Sequence, residues 1–187
     1  MRVEAGSSAL VRQWVGQRTV MGDIGLVLAF SLLIGLLAHL VIPLPFTPVP
    51  VTGQTFGVLL TGAVLGSRLG TATLLAYIVE GLAGLPVFAA GTRGPATYGY
   101  LAGFVVAAFI VGWLCERGWD RDTPRIVAAM IAGEAAIYFF GLLWLARFVP
   151  APKLLALGFF PFLLGDAVKL AAAALAAGGG RRLARGG

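Results

Sequence analysis

Six runs of apolar residues dominate the chain, and the segments between them hold most of its prolines and charged residues. A helix of about 20 residues is about 30 Å long, which matches the hydrocarbon core of a bilayer. The last run has this length, whereas the second is short for a full span. The pattern predicts an all-α integral membrane protein with six transmembrane helices, at residues 24–41, 55–65, 69–85, 98–115, 126–148 and 159–178.

Polar and basic segments flank the predicted helices. Residues 1–23 predict a cytoplasmic or interfacial N-terminal segment, residues 24–180 the six-helix membrane domain, and residues 181–187 a basic cytoplasmic tail. With the N-terminus inside, ten of the fourteen Lys and Arg residues lie on the cytoplasmic side, three lie outside, and Lys169 is in the membrane. Because cytoplasmic loops carry an excess of positive charge, both termini are predicted to be cytoplasmic in a multi-pass protein of the cell membrane.

The composition excludes an ordinary soluble domain. Charged residues make up 12% of the chain and hydrophobic residues 59%, whereas soluble domains are typically about 25% charged. The net charge of +6 comes from basic residues near the ends of the apolar runs, so the predicted partner is the lipid bilayer and not nucleic acid. A single cysteine and the absence of Walker, HExxH and CxxC motifs favour a non-enzyme without metal or cofactor, which cannot by itself bind and hydrolyse ATP through a Walker site.

Two ionisable residues, Asp166 and Lys169, lie inside the last apolar run. They are three residues apart, so they share one face of a helix. A charge at the centre of a bilayer costs about 2.5–3.5 kcal/mol on insertion scales. The pair is therefore either a buried ion pair that fixes helix packing, or it faces a cavity and contacts a polar ligand. We favour the ligand, because intramembrane charges usually mark substrate pathways.

Glu80 and Tyr138 are predicted to line the same pocket as Asp166 and Lys169, because all four lie at similar depths in the membrane. Counted from the outer ends of their helices, Glu80 lies about 8 Å and Asp166 about 10 Å into the membrane. Tyr138 and Lys169 lie about 15 Å deep. These side chains could line one pocket that faces outward. Glu134 shares a face with Tyr138 but lies nearer the cytoplasm, so it is interpreted as structural or as coupled to a partner protein.

The first outer connection, IPLPFTPVPVTGQT at residues 42–55, is predicted to be an extended, stiff lid. Its four prolines fix the backbone and cannot donate helical hydrogen bonds. Thr47, Thr52 and Gln54 supply polar groups that could bind a ligand. Thr52 and Gln54 could equally cap the start of the second helix.

The second outer connection, LPVFAAGTRGPATYGY at residues 85–100, also carries candidate ligand contacts. Arg93 is suited to bind a carboxylate because its guanidinium group donates two parallel hydrogen bonds. Tyr98 and Tyr100 can stack on a ring, or they can anchor the fourth helix at the membrane interface.

Five blocks of the sequence resemble the BioY family, the biotin-binding S-components of energy-coupling factor (ECF) transporters. In chain order they are IPLPFTPVPVTGQT, GLPVFAAG, ATYGYLAGF, IYFFGLLWLAR and PFLLGDAVK. The resemblance implies the six-helix S-component fold of a prokaryotic cytoplasmic membrane protein. It implies biotin uptake as the high-affinity substrate-capture subunit, with ATP used only by partners, a transmembrane T-component and two ABC ATPases.

The resemblance also assigns residues. The family's loop motif TPVP-x-T-x-QT falls on residues 47–55, which gives Gln54 a ligand role. Its GD-x-x-K motif falls on Gly165, Asp166 and Lys169.

Small residues of the first helix form two candidate docking faces. Gly25 and Ala29 are four residues apart, and so are Ser31 and Gly35, a spacing that lets helices approach closely. In the resembling S-components such a face docks on the T-component, and Ser31 and Gly35 match its placement. The other interpretation is close packing within the chain itself.

Three alternatives to biotin capture stay open at this point. They are an S-component for another vitamin, a small membrane-embedded enzyme, and a small structural or channel subunit. A channel needs a polar face through the membrane, whereas the cytoplasmic half of the last predicted helix is almost entirely Ala and Leu. An enzyme needs convergent acid, base or metal groups, whereas the intramembrane ionisable residues here are few and spread over three predicted helices.

Overall fold

The structure of this chain, a computed structural model, describes residues 19–89 and 95–186. It is predominantly helical, with two short strands, β1 (Val41–Ile42) and β2 (Val51–Thr52). The α-helices are α1 (Val20–Ala38), α2 (Gln54–Leu82), α3 (Tyr98–Leu114), α4 (Thr123–Leu145), α5 (Leu154–Gly158) and α6 (Phe160–Gly186). Within the described ranges, 3-10 turns at Pro95–Thr97 and Ala151–Lys153 precede α3 and α5, and a π-helical turn at Cys115–Trp119 follows α3.

Five helical segments in the described residues are long and apolar enough to cross a membrane. Exposed leucine, valine and phenylalanine side chains cover their outer surfaces, as expected for helices that face lipid. The architecture is that of a multi-pass membrane protein. The segments are Val20–Ala38, Gln54–Leu82, Pro95–Trp119, Thr123–Leu145 and Ala151–Gly179.

The second and third predicted helices form one element, α2, which folds back on itself at Gly66. The backbone of Gly66 has φ 81° and ψ −178°, a conformation that only glycine adopts readily. The Gln54 amide nitrogen is 2.8 Å from the Tyr77 hydroxyl, although 23 residues of straight helix would separate them by about 34 Å. The two halves, residues 54–65 and 67–82, are therefore antiparallel neighbours.

Small residues and a carboxylate hold this fold-back closed. A Cβ atom on Gly70 would lie 3.3 Å from the Cα of Gly62, so the two halves touch through glycines. The Glu116 carboxylate accepts hydrogen bonds from the Ser67 backbone N–H and hydroxyl, both at 2.8 Å. A negative charge at the start of a helix is favourable, because the first backbone N–H groups lack partners there.

Capping residues explain why two of the helices begin earlier than predicted. Helix α1 begins at Val20, four residues earlier than predicted, because the Thr19 hydroxyl caps it by accepting from the Gly22 N–H at 3.1 Å. Helix α4 begins at Thr123, since the Asp122 carboxylate accepts from the Arg125 N–H at 2.9 Å. At the other end of the chain, α6 continues to Gly186, through most of the segment predicted as a separate tail.

The proline-rich connection closes into a hairpin instead of a purely extended lid. Strands β1 and β2 pair antiparallel, with Val41 opposite Thr52 and Ile42 opposite Val51. The Thr47 hydroxyl donates to the Leu157 carbonyl of α5 at 2.6 Å. The hairpin is thereby fixed at one end of the helical bundle, next to the start of α2.

Candidate ligand-binding site

A cavity lies where the starts of α2, α3 and α6 meet the end of α4, beneath the β1–β2 hairpin. Its empty volume, counted together with its open mouth, is about 530 Å³. Six of the predicted ligand contacts line it, namely Thr52, Gln54, Tyr100, Tyr138, Asp166 and Lys169.

Asp166 is the centre of the polar group on the α4–α6 side of the cavity. One of its oxygens accepts from the Tyr138 hydroxyl, and the other accepts from the Lys169 ammonium group at 2.6 Å. Asp166 and Tyr138 are 7% and 8% exposed. The two interpretations of Asp166 and Lys169 are thus compatible, because the ion pair is buried and also forms part of the cavity wall.

A second polar group lies at the start of α2. The Thr52 hydroxyl donates to the Gln54 side-chain oxygen at 2.9 Å, and the Gln54 amide donates to the Tyr77 hydroxyl at 2.8 Å. Tyr77 in turn donates to the Val87 carbonyl at 3.1 Å. Thr52 also accepts from the Gln54 backbone N–H at 3.3 Å, so it satisfies the first N–H group of α2 and lines the cavity at once, although the N-cap position itself is Gly53.

Apolar side chains form the wall between the two polar groups. Leu101, Phe104, Ile137 and Phe162 contribute to this wall, and sequence reasoning missed all four. Helical spacing could have identified Phe104 and Phe162, because they lie four residues from Tyr100 and Asp166. Nothing in the sequence pattern distinguishes Leu101 and Ile137 from ordinary core residues.

Tyr100 and Tyr138 are held in place by the turn between α5 and α6. The Tyr100 hydroxyl donates to the Gly158 carbonyl at 2.8 Å. The ring of Phe159 packs edge-on against Tyr138, with 4.7 Å between the ring centroids. Both tyrosines therefore face the cavity with restricted freedom.

The structure does not bring every predicted contact to the cavity. Thr47 ties the hairpin to α5, and Glu80 instead accepts from Ser31 at 2.9 Å, across the α1–α2 contact. Tyr98 lies outside the cavity and is 40% exposed. Arg93 lies outside the described residues.

Burial contradicts a docking face at Ser31 and Gly35. Ser31 is 0% exposed, and a Cβ atom on Gly35 would lie 3.3 Å from the Cβ of Val87. These small residues let α1 pack closely within the chain, which was the other interpretation. Gly25 and Ala29 are exposed, and a Cβ atom on Gly25 would have open space around it.

This geometry suits a small molecule with polar groups at two ends and an apolar body. The α4–α6 side offers a carboxylate and an ammonium group, and the start of α2 offers an amide and a hydroxyl. Pockets of this kind use a few polar groups to orient a ligand that is otherwise enclosed by apolar side chains.

Comparison with known proteins decides the family. The model of the BioY family matches residues 9–186. The chain belongs to the BioY family. Among its BioY-family relatives, a probable biotin transporter BioY from Pyrococcus horikoshii is 41% identical over 135 residues, covering 70% of this chain and 79% of that protein. The biotin transporter BioY from Thermotoga maritima is 40% identical over 143 residues, covering 73% and 83%.

A solved structure shares the fold of this BioY-family chain. It is the crystal structure at 2.1 Å of the S-component for biotin from an ECF-type ABC transporter, with a TM-score of 0.77. The two chains are 24% identical, and the match covers 89% of this chain and 95% of the other. The family match confirms the resemblance that the five sequence blocks predicted. Two of those blocks, the proline-rich connection and GDAVK, meet at the cavity although more than 100 residues separate them.

Proposed function

We propose that this chain is the substrate-capture subunit, or S-component, of an ECF-type transporter and that it binds biotin in the cavity between α2, α3, α4 and α6. The observation that carries the proposal is the buried Asp166–Lys169 pair in the cavity wall. It occurs in a BioY-family chain whose relatives are named as biotin transporters.

Biotin offers groups that match both parts of the cavity. Its ureido ring has two N–H donors and one carbonyl acceptor, its thioether ring is apolar, and its valerate chain ends in a carboxylate. Asp166 can accept from a ureido N–H while Lys169, which has further N–H donors, donates to the carbonyl. Tyr138 could donate to the carbonyl only by giving up its hydrogen bond to Asp166. The apolar wall can then enclose the thioether ring, and the carboxylate can lie toward the hairpin or be bound by Arg93.

Equilibrium binding to the purified protein tests this proposal. Labelled biotin should bind with one-to-one stoichiometry to the chain in detergent, and unlabelled biotin should displace it. Thiamine, riboflavin and folate should not compete. Displacement by one of these vitamins but not by biotin would indicate an S-component for another vitamin. Turnover of a bound compound would favour a membrane enzyme.

We infer six membrane crossings with both termini in the cytoplasm of a prokaryotic cell. The fold-back of α2 at Gly66 supports the count, since its two halves are separate helical segments. The excess of Lys and Arg on one side supports the orientation. Single cysteines placed at Ala5 and Gly186, with Cys115 removed, should be protected from an impermeant thiol reagent in intact cells. Labelling of either site would contradict the orientation.

The proposed partners are a transmembrane T-component and two ABC ATPases, which would supply the energy. We place their contact on the exposed small residues Gly25 and Ala29 of α1. Small residues allow a partner helix to approach closely, and both positions are open on the outer surface. A larger side chain at Gly25 should prevent the partner proteins from co-purifying with this chain, and this measurement tests the proposed contact.

A further inference from the structure

Glu134 is a carboxyl group buried in the middle of a membrane-spanning helix. It lies eleven residues from each end of α4, or about 16 Å along the helix axis. Both of its side-chain oxygens are inaccessible to solvent. It is one helical turn from Tyr138 and shares its face, so it lies directly below the cavity.

Among the residues that the structure describes, no N–H or O–H group donates to either Glu134 oxygen. The group that it meets is the carboxyl of Asp166, with Lys169 close by. Two ionised carboxylates can only accept hydrogen bonds, so they cannot bond to each other. An ionised Glu134 would therefore be an unpaired buried charge beside another negative charge, which is strongly unfavourable.

The balance of charges around Glu134 also indicates that Glu134 is not ionised. Glu134 interacts with Asp166 and Lys169 of α6 and with Tyr138 of its own helix, and Tyr138 in turn interacts with Tyr100 of α3. Within this described cluster Lys169 is the cation and the two carboxyls are the acids. One proton on a carboxyl makes the cluster neutral, and Asp166 already accepts from both Lys169 and Tyr138.

We propose that Glu134 stays protonated and donates a hydrogen bond to Asp166, and that it acts as a positioning residue for the carboxylate that binds biotin. The role of Asp166 in binding rests on the proposed function. A carboxylate has about four acceptor sites, and Lys169, Tyr138 and Glu134 would occupy three. Asp166 would then keep about one acceptor site, aimed into the cavity, for a single ligand N–H.

Two substitutions at Glu134 separate hydrogen bonding from packing and from charge. Glu134→Gln keeps the shape and an N–H donor but cannot ionise, so biotin affinity should stay within about threefold of the wild type. Glu134→Leu keeps the bulk but removes the donor. Since hydrogen bonds to charged groups are the stronger class, its biotin affinity should fall about tenfold or more.

Infrared spectroscopy provides a readout that does not depend on biotin. The wild-type protein at neutral pH should show the carbonyl stretch of a protonated carboxylic acid, and the Glu134→Gln protein should lack it. This comparison still decides the question if Glu134→Leu fails to fold. If the wild type does not bind biotin, the proposed function fails while the infrared band still tests the proton on Glu134.

Three results would overturn the inference. The first is a wild-type spectrum without the band, or with a band that Glu134→Gln retains. The second is a Glu134→Gln protein that binds biotin as weakly as Glu134→Leu, since an ionised Glu134 would then be required. The third is a folded Glu134→Leu protein with wild-type affinity, which would make Glu134 a packing residue.

Discussion

Asp166 and the half-buried Glu80 each accept from a hydroxyl group across a helix contact, yet of these two carboxylates only Asp166 lines the cavity. In the α4–α6 cluster (Tyr138, Asp166 and Lys169), Asp166 accepts from a tyrosine and an ammonium group beside the cavity. In the α1–α2 contact (Ser31 and Glu80), Glu80 accepts from Ser31, and its other oxygen has no hydrogen-bond partner among the described residues.

The difference shows that depth in the membrane does not decide what an acidic residue does. Both carboxylates lie in the outer half of the predicted membrane domain, and both were predicted to contact the ligand. Asp166 is accompanied by a cation on its own helix, three residues away, and by space for a ligand. Glu80 faces a close-packed contact between two helices, where its hydrogen bond to Ser31 contributes to packing.

The largest expected effect comes from breaking the α4–α6 cluster with Asp166→Asn. This substitution keeps the shape but removes the charge that would accept a ureido N–H. Loss of a charge-assisted hydrogen bond costs about 1.5–3 kcal/mol, so biotin affinity should fall about 10- to 150-fold. Equilibrium binding of labelled biotin measures this. Unchanged affinity in a folded protein would make the ion pair purely structural.

A double variant separates binding from stability in this experiment. Asp166→Asn alone leaves the largely buried Lys169 ammonium, 17% exposed, without its carboxylate, which is costly in a buried site. Adding Lys169→Met removes that charge as well. Thermal stability should recover relative to the single variant, whereas biotin affinity should not recover.

The sequence predicted the membrane helices well because their signal is local. An apolar run of about 20 residues is recognisable without any knowledge of its neighbours. The Asp166–Lys169 pair was also recognisable, because charges inside such runs are rare and three-residue spacing puts them on one face.

Contacts between distant segments were not predictable from the sequence pattern. The hydrogen bond between Gln54 and Tyr77 forms only because the chain folds back at Gly66. The chain contains 27 glycines, and nothing in the sequence indicates that the chain reverses direction at this one. Likewise, Ser31 and Gly35 have the spacing of an outward docking face. Their side of α1 packs inward because Glu80 and Val87 lie opposite them.

A smaller effect is expected from breaking the α1–α2 contact with Ser31→Trp. Ser31 is 0% exposed, so an indole ring would separate the helices, and overpacking typically costs about 1–3 kcal/mol. Thermal unfolding and size-exclusion chromatography in detergent should show a less stable protein. Biotin binding should decline only as the folded fraction declines. A Ser31→Trp protein as stable as the wild type would mean that α1 does not pack on α2 through this face.

The smallest effect on the isolated subunit is expected from Gly25→Trp, which places the same side chain on an open face of the same helix. Since a Cβ atom on Gly25 would meet nothing within 4 Å, stability should change by about 0.5 kcal/mol or less, as for most surface substitutions. Biotin affinity should be unchanged. Assembly is the property expected to fail, because an indole ring would hold a partner helix away from α1. Co-purification of the T-component and ATPases, and ATP-driven uptake, should both decrease.

Leu164→Trp is the matched control, since it puts an indole at an 81% exposed position of α6 and should leave assembly intact. Normal assembly of Gly25→Trp would place the docking surface elsewhere, whereas loss of biotin binding would show that this face of α1 is also internal.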